Sequence, residues 1–337
     1  MNWFERLTGF VEKNYDDTRG KLEVHGSELR SRVNGKAYGI GELELSSLQS
    51  LRDRVSSDRV PPGRLRVTNV TGDVRRLHRS PEYAGALFQV ASQFNLLEMI
   101  SPDVTPELGV ARYEGDRTQG PACAMAAGAA TIYRNYFAPV GERQGQTSTH
   151  QLDALAQVGA ALGQILDRSV AALWTMRNGY ALCSRAGLDD ITGWLDGTTP
   201  EQIDAVRGKL RIGVHRDVEV TDSEEAQRPL VSQAFCSALP VAYSEVPSIH
   251  WRAFASLVLE AAYEATLWAA ADNARRGGSK IALLTSLGGG AFGNQEDWIL
   301  GAMRRAFGMA ADFDLDVRLV SHGAPPRALV QLAGEFP

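Results

Sequence analysis

The sequence predicts an α/β layered fold. From Arg64 onward, short apolar strand-like runs alternate with helical runs, a rhythm that places strands in one sheet with helices packed over it. Near the C-terminus, the apolar residues 280–287 run straight into Gly288-Gly289-Gly290-Ala291-Phe292-Gly293, and an amphipathic stretch, 294–307, follows. A strand, a glycine-dense loop and a helix start together make an anion cradle. Glycines let the backbone turn through positive φ and approach a ligand, and a helix N-terminus presents unpaired N–H groups.

Each element has its own signal. Residues 1–60 read as an N-terminal extension: a short helical start, strand-like alternation over 21–33, the turn pair Asn34-Gly35, and a further strand at 37–40. Helical spacing covers 46–55, and Pro61-Pro62-Gly63 marks a boundary before one larger domain, 61–337. Residues 65–70 form a strand candidate ending at Thr71-Gly72-Asp73, and 86–91 form another ending in Ser92-Gln93-Phe94-Asn95. Thr118-Gln119-Gly120-Pro121 leads into a small-residue helix over 122–136, with Pro at the position helices tolerate best. The stretch 151–183 reads as a long helix, and 189–210 as another with Thr199-Pro200-Glu201 as a start signal. A buried strand is expected around Val231, Ala234 and Phe235, a long helix over 251–276 stopped by Gly277-Gly278, and a last strand over 315–321.

Composition bounds the function. A chain of 337 residues, 44% hydrophobic, can bury a large core. A net charge of −5 and a pI near 5.8 argue against a membrane surface or nucleic acid as the main partner. Cys123, Cys183 and Cys236 show no C-x-x-C, and the six histidines lack metal-ligand spacing, so neither a metal nor a cofactor is expected. Residues 1–17 carry Glu5, Glu12, Asp16 and Asp17 and lack the apolar run of a signal peptide, and Asp153, Asp167, Arg168 and Arg177 break the apolar tract 151–182. A cytoplasmic location is the expectation.

Gly288, Gly290 and Gly293 also fit G-x-G-x-x-G, the nicotinamide-dinucleotide fingerprint. That motif needs a ribose-binding acid roughly 20 positions on, at the end of the next strand. Here the next strand ends in Ser321-His322. An NAD-linked oxidoreductase is therefore disfavoured.

The order of turns supports a different comparison. A long helix, a Gly-Gly stop, an apolar strand and then Gly290-Ala291-Phe292-Gly293 resemble the second ligand loop of macrodomains. Thr71-Gly72-Asp73-Val74 resembles the Gly-Asp-[IV] turn after an early macrodomain strand, and 86–95 resembles the next strand, whose family form ends in Asn-Ala-Ala-Asn. The resemblance spans about residues 64–322. It implies a three-layer α/β/α sandwich around a mixed sheet, with ADP-ribose or an ADP-ribosylated substrate as partner. It implies no membrane role, and nucleic acid only as a modified substrate.

By the same resemblance, Asp73, with Val74 beside it, accepts from the adenine amino group, and Asn95 contacts the distal ribose. Gly290, Ala291, Phe292 and Gly293 form the diphosphate loop, with Phe292 walling the distal ribose, and Ser286, Gly288 and Gly289 just before it are ligand-binding candidates. His322 falls where the family places an aromatic beneath adenine. Two departures matter. Residues 96–117 intervene before Gly120, which with its helix start can still receive a phosphate; Asp116 precedes it, placed to orient a water. Residues 139–228 have no counterpart in a minimal macrodomain and read as a helical insertion shaping the cleft. The glycines with Gln295-Glu296 also resemble the glycine-plus-Gln-Glu-Glu signature of poly-ADP-ribose glycohydrolases, although there the glycines belong to the first loop; Glu296 and Asp297 are read as first-turn acids favoured by the helix dipole. The expected activity is hydrolysis of an ADP-ribosyl linkage, with Asn95 and Asp116 as catalytic candidates; the alternative is a non-catalytic ADP-ribose reader.

Overall fold

The computed structural model describes residues 1–57 and 62–337; Pro61 and the boundary expected near residue 60 lie outside the described residues. Seven strands of the described chain build the central sheet: β1 Glu42–Ser47, β2 Arg66–Thr71, β3 Leu87–Ala91, β4 Arg211–Glu219, β5 Leu230–Cys236, β6 Ile281–Leu284 and β7 Asp316–Ser321. Their order is β1-β4-β5-β3-β6-β7-β2. The run from β5 to β2 is parallel, whereas β4 is antiparallel to both β5 and β1. The sheet is therefore mixed.

Alternation along the strands builds the layers, because successive side chains leave opposite faces. Leu87, Ala234, Ala282, Leu284 and Val317 join one core with the Ser248–Arg275 helix, and Phe88, Val90, Phe235 and Leu283 join another with Cys123, Ala127 and Ala130. The long helix packs along Leu48–Ser57 and Glu296–Met309 on the first face, while Gln119–Ala126 and Gly128–Tyr136 cover the second. The result is the three-layer α/β/α sandwich that was expected.

Two assignments change. The N-terminal strands Leu22–His25, Glu28–Ser31 and Ala37–Gly39 do form a small sheet, but the chain then enters the central sheet as edge strand β1. The sheet thus draws on both sides of the expected boundary. Trp3, Phe4, Leu22 and Leu29 also share a core with Leu97, Tyr113 and Ile132. The second change is in 139–228. It supplies β4, a central strand, and its long helix is not continuous: Ala156–Leu166 is followed by a hairpin, Trp174–Arg177 with Tyr180–Cys183. Asn178 (φ 46°) and Gly179 (φ 79°) turn it, the pair that two-residue hairpins favour. Among the described residues no helix is long and apolar enough to cross a membrane.

Gly41 admits β1 to the sheet. Its φ is +65°, and a Cβ there would lie 1.9 Å from the Arg216 carbonyl oxygen. Gly41→Ala must both strain the backbone and push β1 off β4, so a cost above about 2 kcal/mol is expected in urea denaturation. A loss below about 0.5 kcal/mol, the surface-substitution range, would show that β1 is not held in the sheet as described.

Candidate active site

The parallel strands β3, β5 and β6 end at one edge of the sheet, and a cavity of about 460 Å³ opens there among the loops that follow them. Open α/β sheets characteristically carry their ligand crevice at this edge.

A divergence of strands makes room for the cavity. β6 pairs with β3 only at Leu87 and Phe88. Beyond that point the β3 groups facing β6 would be bare. The Gln119 carboxamide takes them instead, accepting from the Ala91 N–H (2.8 Å) and donating to the Gln89 carbonyl (2.8 Å). This clamp draws the start of helix Gln119–Ala126 onto the strand end so closely that a Cβ at Gly120 would lie 2.1 Å from the Ala91 carbonyl oxygen and 3.1 Å from Glu98 Cγ. Only glycine fits. Thr118 leaves the helix without a side-chain cap, and the N–H groups of Gln119 and Gly120 meet no acceptor among the described residues.

The loop after β3 folds back on itself. Gln93 Oε1 accepts from Met99 N–H (2.7 Å), Gln93 N–H donates to Leu97 O, and Leu96 sits at φ 64°. Asn95 lies inside this turn, fully buried: Oδ1 accepts from Leu97 N–H (3.1 Å) and Nδ2 donates to Gln151 Oε1 (2.8 Å). It shapes the turn and does not line the cavity. The turn also brings Glu98 to the wall, a lining residue whose side chain is fully buried. Arg134 Nη2 stands 3.2 Å from its carboxylate, and the Tyr113 hydroxyl accepts from its backbone N–H. Burial pushes the Glu98 carboxyl up to about 7, outweighing the attraction of Arg134 and the Tyr113 hydrogen bond, which act downward.

The glycine loop closes the opposite side. Tyr263, on the long helix, donates its hydroxyl to Thr285 O (2.7 Å) and accepts from Leu287 N–H (2.8 Å), which pins the start of the loop. Gly288 turns at φ +74°, and a Cβ there would lie 2.5 Å from Ala238 Cβ and 2.7 Å from Asn294 Nδ2. Asn294 ties the loop to Leu239 O through its side chain. The N–H groups of Ser286, Gly288, Gly290, Ala291 and Phe292, all lining residues, find no acceptor among the described residues. Around Gly290 there is open space: a Cβ would meet nothing within 4 Å. The Phe292 ring packs 5.2 Å from Tyr180 and 5.7 Å from Tyr243, so three aromatic rings wall one side. A second, smaller cleft of about 200 Å³ adjoins the far side of the loop, sharing Ser286 and Gly290 and adding Gly289, Asn294, Glu296 and Leu329.

Of the residues singled out in the sequence, Asp116, Gly120, Ser286, Gly288, Gly290, Ala291 and Phe292 come together on the main cavity, and Gly289 on the second cleft. Gly293 faces Ala242 instead, a Cβ there coming within 2.8 Å of that residue's own. Asp73, Val74 and His322 line neither cavity. The Asp73 carboxylate caps helix Val74–Arg79 by accepting from Arg75 and Arg76 N–H, Val74 is in the core, and His322 is exposed just beyond β7. Sequence reasoning missed Glu98, Gln119, Tyr180 and Tyr243. A lone acid inside the apolar run Leu96-Leu97-Glu98-Met99-Ile100 was a readable signal for the first.

No family model matches this chain, and no curated protein does. Among solved structures it is similar to the poly(ADP-ribose) glycohydrolase of Thermomonospora curvata, at 14% identity and a TM-score of 0.45 over 96% of each chain. It is similar to the same enzyme bound to the inhibitor ADP-HPD, at 15% identity and 0.43 over 94% of each. It is also similar to the Deinococcus radiodurans poly(ADP-ribose) glycohydrolase in complex with ADP-ribose, at 13% identity and 0.44 over 87% of this chain and 92% of that one. At this distance likeness transfers no function to the present chain.

Glu98 has a consequence for stability. A carboxyl raised from 4.5 to about 7 binds more protons in the folded than in the unfolded chain between those values. Its contribution is therefore fully present below the unfolded pKa and lost as pH rises through about 7. Urea denaturation at pH 5 and pH 8 should show a fall that Glu98→Gln reduces; an identical fall in the variant would mean that Glu98 does not titrate in this way.

Proposed function

We propose that this protein binds ADP-ribose at the β3–β6 edge and hydrolyses an ADP-ribosyl linkage there. One observation carries the reading: a single cavity is lined on one side by backbone amides that meet no acceptor among the described residues, from Gly290 to Phe292 and at Gly120, and on another by the buried acid Glu98. Bare amides beside a helix start suit a diphosphate. Because Ser286 and Gly290 serve both cavities, an anion held at the loop can carry a group into each. ADP-ribose has that form, a diphosphate between two ribosyl arms. The main cavity takes the distal ribose against Phe292, Tyr180 and Tyr243. The second cleft takes the adenosine arm in place of Asp73 and His322, with the buried Asn294 Oδ1, which has no partner among the described residues, as an acceptor.

The chemistry follows from the two acids on the wall. Glu98, protonated near neutral pH, donates its proton to the departing group as the glycosidic bond breaks with its electron pair. Water adds to the anomeric carbon, oriented by the Asp116 carboxylate, and its proton restores Glu98. The products are ADP-ribose and the freed acceptor. Binding at the amides fixes the anomeric carbon relative to both carboxyls, which is how positioning lowers the barrier. The reader alternative keeps this site without the step; the ion pair that Glu98 makes with Arg134 is the feature that favours it.

Two measurements separate the parts. Gly290→Glu places a carboxylate in open space facing the diphosphate, so calorimetry should show ADP-ribose binding abolished in a folded protein; native affinity would remove the loop from the site. Glu98→Gln should lower release of ADP-ribose from a modified substrate by about 10²–10⁴-fold while binding stays within a few-fold. Binding by the wild type with no release from any modified substrate would leave the reader.

A further inference from the structure

We infer that Arg134 is the positioning residue that fixes the Glu98 carboxyl at the cavity wall and supplies its counter-charge. The inference rests on the catalytic reading of Glu98 above. Both side chains are fully buried. The guanidinium is held on three sides independently of Glu98: Nε donates to Leu96 O (3.1 Å), Nη2 donates to Thr131 Oγ1 (3.0 Å), and the plane lies 3.8 Å over the Phe235 ring. Leu96 belongs to the turn that carries Glu98, so one side chain grips both the backbone and the carboxylate of the same loop. Nη1 meets no acceptor among the described residues. A buried guanidinium with spare donors and a single carboxylate partner is costly for the fold alone, because desolvation can exceed the attraction. That cost is explicable if the charge serves the acid at the wall.

The other groups around the pair cannot take over this role. Tyr113, from the turn Ala111–Gly115, accepts from the Glu98 backbone N–H and also acts on its carboxyl by a side-chain hydrogen bond, but it brings no positive charge, and Cys123 on helix Gln119–Ala126 is buried with its thiol pushed far up by desolvation. His215, on β4 beyond Arg134, is held neutral by burial and by the guanidinium itself. Asp116 lines the same cavity with like charge. Arg134 is thus the one cation facing Glu98 among the described residues, and removing it leaves burial opposed only by uncharged hydrogen bonds, which shifts the acid further toward its protonated form.

The test compares Arg134→Gln with Arg134→Lys in the pH profile of ADP-ribosyl hydrolysis. The limb that Glu98→Gln abolishes should move up by at least one pH unit in Arg134→Gln and return toward its original position in Arg134→Lys, with ADP-ribose affinity within threefold. An equal loss at every pH, with the limb unmoved, would overturn the inference and leave a packing role. A second arm uses the unaltered protein and needs neither turnover nor a stable variant. In NMR titration, the Arg134 Nε–H signal should shift with the same midpoint as the Glu98 carboxyl carbon. A Glu98 that titrates while Arg134 stays still would overturn the inference whether or not the protein proves to be a hydrolase.

Discussion

The site depends on one close approach. β3 and β6 part after two paired positions, and the Gln119 carboxamide continues the ladder that β6 abandons. Unpaired backbone groups in the middle of a sheet would each carry a desolvation cost of about 1–3 kcal/mol, so a substitute partner is required wherever strands diverge. The substitute comes from the first turn of a helix. Once Gln119 is clamped, Gly120 must touch the strand end, the helix start must point its free N–H groups into the gap, and the loop between β3 and that helix must fold back over Glu98. Cavity, anion donors and acid share that origin.

The cavity balances two electrostatic environments. On the loop side, partial positive charge comes from fixed backbone dipoles that need no counter-ion and no reorganisation when an anion arrives. On the opposite wall, one carboxyl is withdrawn from water and compensated by one guanidinium. Desolvation raises the Glu98 pKa and lowers that of Arg134, so each partner reports that burial outweighs the pairing. An acid so placed changes protonation near neutrality, where an exposed glutamate is fully ionised. Tyr180, Tyr243 and Phe292 pack ring against ring along the same space and give it an apolar side.

Much of this was legible in the sequence, and the misses have physical causes. The glycine loop and the strand before it were readable because local chemistry dictates them: Gly288 needs positive φ, and β6 is a continuous apolar run. The layered fold followed from strand and helix alternation. The hairpin at 174–183 was hidden inside an apolar tract whose flanks are helical, although Asn178-Gly179 announced its turn. Asn95 stands in the turn and off the cavity wall: a strand-end Asn serves a turn as readily as a sugar, and the contacts with Gln151 and Leu97 that hold it there are not local in the sequence pattern. Asp73 serves as a helix cap, a role that needs the same short carboxylate as an adenine acceptor, so the sequence alone does not separate the two. Glu98 and Arg134 are 36 residues apart, and no local pattern joins them.

In the proposed complex, the amides of the glycine loop and of Gly120, unpaired among the described residues, receive a diphosphate beside Glu98. A crystal structure of the protein soaked with ADP-ribose tests it directly. Diphosphate oxygens are expected within about 3 Å of the Gly290, Ala291, Phe292 and Gly120 nitrogens, the distal ribose between Glu98 and the Phe292 ring, and adenine in the cleft beside Asn294. ADP-ribose bound away from these amides, or a saturated crystal in which they remain unliganded, would contradict it.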